Sequence, residues 1–293
     1  MKKVKLNAEN YYSQEMNESY FSVSQYKDFC KCEAMAMAKI KGEYEQPKGQ
    51  ALFLGSFVDE MLTGTQESQI DFIIKNRFEF FQKSSKLNKY DDETFRVFAN
   101  EFFQVLFHEN NKPYAEIIQA LKTIERIKKQ PLMMEHLSGE HQVVMTGKIA
   151  GVPFKIKMDS YHPDKMIVDL KYMASLRSPN MFDSMVKYWG YDIQGAVYQE
   201  VVRQNTGKRL PFCLDIGTKE KPAHLDIAEI KQYDLDSALD SVIGRIARFD
   251  LVKQGKAEPE RCEEYDCDYC TETRIITEPI DSNQLGMVRK FEP

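Results

Sequence analysis

The stretch HQVVMTGKIAGVPFKIKMDSYHPDKMIVDLKYM, residues 141–173, decides the fold. It is rich in β-branched and aliphatic residues, alternates apolar with polar over several steps, and carries Gly or Pro at its joints. That pattern predicts three consecutive strands, over about 140–146, 152–160 and 166–172. In the second strand Val152, Phe154, Ile156 and Met158 fall on one face, and Lys155, Lys157 and Asp159 on the other. In the third, Met166, Val168 and Leu170 share a face, opposite Ile167, Asp169 and Lys171. The turn His162-Pro163-Asp164-Lys165 makes these two strands an antiparallel hairpin. Centred on Asp164, it sets Asp159 directly opposite Asp169, with Cβ atoms about 4.5–5.5 Å apart. Two carboxylates at that distance repel unless a cation lies between them, and Mg²⁺ takes oxygen ligands at about 2.0–2.1 Å. A surface hairpin with scattered charges is the competing reading. Against it stands the apolar run Met166 to Leu170, in which a buried Asp without a partner would be costly.

Working outward, Ser22 and Gln25 form a capping-box pattern that starts a helix. Val23, Tyr26, Phe29 and Cys30 give it one apolar stripe, and Gly42 is its stop. A second helix is expected over about 49–63, using Leu52, Phe53, Phe57, Met61 and Leu62 for packing. Residues 70–135 read as mostly helical, with a break at Asn111-Lys112-Pro113. After the three strands come a helix over about 179–205, strands over about 210–217 and 223–230, a helix over about 233–254, and a Cys-containing tail. This order predicts an α/β (α+β mixed) fold, a central mixed sheet flanked by helices with a helical N-terminal elaboration. No linker divides the chain. A single domain over 1–293 is expected, with a helical part at 22–135, a sheet core at 140–232 and a C-terminal part at 233–293.

Of 293 residues, 42% are hydrophobic and 29% charged, an ordinary globular mixture. No apolar run reaches the roughly 18 residues of a membrane span, and the N-terminus is too polar for a secretory signal. A cytoplasmic protein is expected. Forty Lys and Arg against 45 Asp and Glu leave a net charge of −5, which by itself argues against nucleic acid. Any positive field must be local, and Lys148, Lys155, Lys157, Lys165 and Lys171 concentrate around the strands. No P-loop or dinucleotide fingerprint is present, so ATP hydrolysis is not expected. His162 should be solvated, Trp189 should be core, and no histidine sits in a zinc-protease pattern.

Six cysteines in a cytosolic chain should be reduced. Cys262-x4-Cys267-x2-Cys270 has metal-type spacing but lacks a fourth ligand. Cys30 and Cys32 lie far upstream. Cys30 falls on the core stripe, so Cys32 is the better candidate, while Cys213 belongs to a core strand. Four thiolates suit tetrahedral Zn²⁺ or a [4Fe–4S] cluster, and six plain thiols, some of them buried, are the alternative.

Asp159 followed by Asp169-Leu170-Lys171 resembles the D…(D/E)xK signature of the PD-(D/E)xK nucleases. Gln194 and Tyr198 are similar to the QxxxY motif of the RecB-like and lambda-exonuclease-like branches. Gly55 to Asp59 sits where RecB-like members carry GxxxH, with Asp59 in place of His. Residues 22–43 look like the opening of phage RecE-like (exodeoxyribonuclease VIII-like) exonucleases, and the likeness spans about 20–272. The resemblance implies a restriction-endonuclease-like core. It also implies two Mg²⁺ or Mn²⁺ ions held by Asp159, Asp169, the Leu170 carbonyl and Glu140, with Asp59 as a further ligand. Lys171 would orient or deprotonate the attacking water; Gln194 and Tyr198 would position the site or meet the DNA backbone. Lys155, Lys157 and Tyr191 are further candidates for DNA contact. RecB-like members with an iron–sulfur staple use one early and three late cysteines, matching Cys32, Cys262, Cys267 and Cys270.

The activity so implied is a Mg²⁺-dependent, 5′-to-3′ double-strand DNA exonuclease of phage or prophage origin in a bacterial host. It would leave 3′ overhangs for recombination beside a RecT-like single-strand annealing protein, and would act as a ring or tetramer around DNA ends. Two other readings remain: a CRISPR-adaptation exonuclease with an iron–sulfur cluster, and a catalytically degenerate DNA-binding module.

Overall fold

A computed structural model describes residues 6–46, 49–177, 184–262, 267–276 and 279. A short helix α1 (Gln14–Ser19) precedes α2 (Val23–Lys31), which starts where the capping pattern places it. The Ser22 hydroxyl accepts the Gln25 amide at 3.3 Å, satisfying one free donor of the first turn. The Gln25 side chain does not close the box; it donates to the Asn17 carbonyl at 2.9 Å. Gly42, at φ 72°, ends α3 (Glu33–Lys41) in the left-handed conformation that favours glycine. One helix was expected over this span and two are found. Cys32 is extended (φ −166°, ψ 113°) and breaks the run, leaving Cys30 exposed rather than on the core stripe.

The expected helical stretch follows as α4 (Gln50–Thr63), α5 (Gln66–Lys75), α6 (Arg77–Phe80), α7 (Asp92–Glu101), α8 (Ala115–Lys128) and α9 (Pro131–His136). Its break falls at Lys112, whose φ of 53° is followed by Pro113. Phe57, Phe80, Phe81 and Phe95 are fully buried at its centre. Leu52, expected in the packing, is exposed.

The sheet is formed by β1 (Glu140–Ile149), β2 (Val152–His162), β3 (Met166–Met173), β4 (Phe212–Thr218) and β5 (Leu225–Glu229), in that spatial order. All neighbours are antiparallel except β3 and β4. The parallel pair needs a helical crossover, supplied by α10 (Met185–Tyr188) and α11 (Tyr191–Thr206). The expected helix over 179–205 is thus interrupted at Gly190 (φ 62°), and residues 178–183, where it was to begin, lie outside the described residues. α12 (Gln232–Lys253) and the short α13 (Asp268–Glu272) are the last helices among the described residues.

The sheet is covered on both faces, as a mixed sheet of buried strands must be. On one side α2, α11 and α12 pack over Phe154, Ile156, Met158, Ile167 and Phe212. On the other, α4, α8 and α9 pack over Leu170 and Tyr172. Gly195 lets α11 approach closely, because a Cβ there would stand 2.8 Å from both Phe212 and Leu235 side chains. α9 docks through His136, whose Nδ1 lies 2.9 Å from the buried Asp215. The His136 carbonyl also takes the Ser160 hydroxyl and the His162 ring, each at 2.7 Å, so His162 is anchored rather than solvated. No described helix is long and apolar enough to cross a membrane.

Candidate active site

The hairpin register is the one the turn predicts. Ser160 pairs with Val168, Tyr161 with Ile167 and His162 with Met166, about Asp164 at φ 68°. Continued by one pair, it would set Asp159 against Asp169. There the ladder stops. The Asp159 carboxylate enters the gap and accepts the Leu170 amide at 3.1 Å, replacing the lost strand partner. Farther along β2, Phe21 takes the free edge through two bonds of 2.8 Å, to Pro153 and from Lys155. β2 and β3 therefore splay at the two aspartates, and the splay opens the cleft.

The strand also changes face there. Met158 packs under α11, whereas Ser160, on the same side of an ideal strand, donates to His136 under α9. On β1 the residue beside Asp159 is Gln142, at φ 53° and outside the paired ladder. The alternation read for β2 thus slips by one residue at Asp159.

Asp169 is 2% exposed and held from two sides. Gln194 Nε2 donates to its Oδ1 at 2.6 Å, and Lys171 Nζ lies 2.5 Å from its Oδ2. That second contact is an ion pair without hydrogen-bond alignment, leaving Asp169 Oδ2 buried and without a directed donor. Asp59, from α4, faces the same cleft and accepts from Gln142 Nε2 at 3.2 Å. Burial first, then Glu60, push Asp59 up to about 6, with Asp169 adding to the rise. Burial, then Asp169 and Asp59, hold Asp159 well above the usual carboxylate range. Burial works against the Lys171 charge, yet Asp169 and Asp159 outweigh it and raise its pKa. Three carboxylates here outnumber the lysine paired with them, which leaves excess negative charge. An all-oxygen donor set with an undirected buried oxygen fits a hard divalent cation. Asp159, Asp169 and the Leu170 carbonyl could hold it, with Asp59 nearby.

The cleft encloses about 630 Å³, and its basic groups differ from those expected. Lys157 and Lys171 line it, joined by Lys27 and Lys39 from α2 and α3. Lys27 Nζ donates to the Trp189 carbonyl at 2.7 Å and, with Lys171, flanks the Tyr191 ring at 5.6 and 5.1 Å. Burial, then the Lys171 charge, lower Lys27 to about 8. Lys157 stands 4.7 Å from the Tyr12 ring at the rim. Lys155 is 1% exposed, bonds to the Tyr11 carbonyl and to Asn17, and cannot meet DNA. Glu140 is exposed at the start of β1 and does not line the cleft. Tyr198 is buried and donates to the Lys157 carbonyl at 3.0 Å, fixing β2 more than presenting a group to a ligand. Trp189, expected in the core, is 46% exposed beside Tyr188. Sequence reading missed Lys27 and Lys39. Their one signal was the basic residues spaced through α2 and α3.

Away from the cleft, Cys32, Cys262, Cys267 and Cys270 bring their sulfurs within 4.8 Å of one another. Among the described residues this is the group of three or more Cys, His or acidic side chains that gathers so closely, and the three cleft aspartates do not. Cys213 is buried in β4, as expected.

Residues 22–273 match a family described as a PDDEXK-like domain of unknown function (DUF3799). Among solved structures, a Eubacterium rectale protein described as a candidate exonuclease is 38% identical. The match covers 97% of this chain and 98% of that one, with a TM-score of 0.81. A second structure, SSO0001, is matched over 73% of this chain and 92% of its own at 12% identity; its TM-score of 0.29 is too low to carry a shared fold. No curated protein matches the chain.

Proposed function

The chain belongs to the PDDEXK-like family that its residues 22–273 match, and on that premise we propose that it is a divalent-metal-dependent exonuclease of double-stranded DNA. One observation carries the reading. Where β2 and β3 splay, Asp159, Asp169, Lys171 and Gln194 converge in an open cleft lined with lysines. A degenerate binding module would have no use for a buried acid pair with a lysine at 2.5 Å. The Eubacterium rectale relative supports exonuclease over other phosphodiesterases.

Asp159, Asp169 and the Leu170 carbonyl hold Mg²⁺ or Mn²⁺ in this reading. When bound, such an ion lowers the pKa of a water and neutralises charge on the leaving oxygen. Gln194 locks the Asp169 carboxylate in one orientation, turning its other oxygen toward Lys171 and the cleft. Lys171, at the mouth of the pair, orients the attacking water and meets negative charge as it develops on the phosphate. Lys27 and Lys157 receive neighbouring phosphates, and Tyr188 and Trp189 offer faces to an unpaired terminal base.

The finer proposal is 5′-to-3′ digestion leaving a 3′ overhang, in a phage or prophage setting in the bacterial cytoplasm, beside a single-strand annealing protein and as a ring or tetramer. Linear duplex labelled separately at each 5′ end and each 3′ end, incubated with and without Mg²⁺, tests both levels. Release of 5′ label only when metal is added supports the metal-dependent exonuclease and its 5′-to-3′ polarity. Release of 3′ label keeps the exonuclease and removes the polarity. No release from either end with Mg²⁺ or Mn²⁺ removes the activity. Asp169→Asn should cut the rate by about 10³-fold or more while leaving the melting curve in place.

A further inference from the structure

We propose that Cys32, Cys262, Cys267 and Cys270 hold one tetrahedral zinc ion, and no iron–sulfur cluster, as a clamp fastening the C-terminal tail to the junction of α2 and α3. The distances decide between the two. Around a single zinc ion with Zn–S bonds of about 2.3 Å, the sulfurs form a tetrahedron with edges of about 3.8 Å. Here Cys32 and Cys270 sulfurs are 3.5 Å apart, as are those of Cys262 and Cys267, and all four lie within 4.8 Å. In a four-iron cube each cysteine sulfur caps a different corner, so the four stand much farther apart. A two-iron cluster separates its two pairs for the same reason. Two independent disulfides explain the pairs but not their mutual approach, since nothing would then draw one pair onto the other. Four thiolates by themselves suit zinc or an iron–sulfur cluster alike, so the close spacing of the sulfurs is what favours the single ion.

Two backbone amides point at these sulfurs. Met35 N–H points at Cys32 Sγ and Cys270 N–H at Cys267 Sγ, each at 3.4 Å. The small apolar cluster around them includes Ala34, Met35 and Tyr44. The site also accounts for the extended Cys32, because a continuous helix would hold that side chain on the helix surface. On binding, each thiol gives its proton to solvent and each thiolate donates a lone pair to the ion. The clamp sits behind the cleft wall. Cys32 and Met35 of this segment face the cysteines, whereas Ala36, Lys39 and Ile40 line the cleft. Glu33 strengthens the junction, accepting from Arg248 at 2.9 and 3.1 Å and from the Glu260 amide at 2.8 Å.

The test uses the full chain purified from cells supplied with both zinc and iron. Elemental analysis should find about one zinc per chain and negligible iron, in a colourless protein. Replacing the zinc with Co²⁺ should give the intense thiolate charge-transfer bands of a tetrahedral Cys₄ site. Cys262→Ser and Cys270→Ser should lower zinc content about tenfold, whereas Cys30→Ser, altering the exposed neighbour, should keep it whole. Zinc removal should lower the melting temperature and speed amide hydrogen exchange over residues 23–41. Because the wild-type stoichiometry and the cobalt spectrum need no variant, misfolding of a Ser variant leaves the proposal testable. Stoichiometric iron with visible absorption overturns it. So does a metal-free protein, whether with four free thiols or with a mass four hydrogens short.

Discussion

Lys27 is the cleft residue with the most conflicted surroundings. Its ammonium is largely withdrawn from water, repelled by Lys171 and attracted by Asp169 and Asp192. A group kept at such cost in a cleft is functional more often than structural. Lys27→Met should lower cleavage about ten- to a hundredfold while leaving the melting temperature unchanged or raised, since a buried charge is lost. A large fall in stability with unchanged activity would make Lys27 a structural residue. Two other lysines carry a pH signature. Burial lowers Lys155 to about 8, and burial together with Lys155 lowers Lys253 to about 7. A lowered amine pKa means the unfolded chain binds more protons between the folded value and about 10.4. Stability contributed by these two groups is therefore gained as pH rises from about 7 toward 10. The melting temperature measured across that window should climb relative to Lys155→Met, whose curve should be flatter. Parallel curves would mean that the amine stays charged inside, satisfied by Asn17 and the Tyr11 carbonyl.

At the scale of elements, α11 carries the clearest constraint. Gly190, at φ 62°, ends α10 and starts α11, and a Cβ there would stand 2.9 Å from Lys27 Cε. Gly190→Ala should cost about 1 kcal/mol through backbone strain and shift the Lys27 amine. Gly195→Ala meets two side chains at 2.8 Å and should cost about 1–3 kcal/mol by overpacking α11 against the sheet. Denaturant unfolding measures both, and a neutral Gly195→Ala would show that α11 can slide. The same element shows what the sequence could and could not disclose. The three central strands and their hairpin register were legible, because alternation and a Pro-Asp turn are local signals. The slip at Asp159 was not, because it depends on Gln142 in a neighbouring strand and on the splay of β3. The break at Cys32 was hidden by the good helix formers Lys31 and Glu33 beside it, whereas Gly190 carried its own signal as a helix breaker. Asp169, Lys171 and Gln194 could be paired from motif spacing. Asp59 could be added from its place in the GxxxH position, but the arrival of Lys27 and Lys39 beside them is a product of packing between helices and sheet distant in the chain, which periodicity does not encode. Lys155 shows the converse failure. Alternation put it on a polar face, and the N-terminal segment then covered that face.

For the whole molecule, the difficulty is a net charge of −5 in a protein proposed to hold a polyanion. Local arrangement resolves it through a few cations. Lys171 is paired with Asp169, and Lys39 with Asp28 at 2.9 Å, so Lys27 and Lys157 are the amines least compensated by a direct carboxylate. Each phosphate neutralised releases counterions and contributes about −0.9 to the slope of log affinity against log salt. One chain engaging two to four phosphates through this cleft should therefore show a slope of about −2 to −4, much shallower than that of a basic DNA-binding domain. Binding of a short blunt duplex to Asp169→Asn, measured by fluorescence anisotropy from low to moderate salt, gives that slope without cleavage. Lys157→Ala should reduce its magnitude by about one. If the slope were instead −6 or steeper, the cleft of one chain could not account for the contacts. Phosphates would then have to be met by lysines outside it, as happens when several copies enclose the duplex, and the steepness should fall on dilution below the assembly threshold.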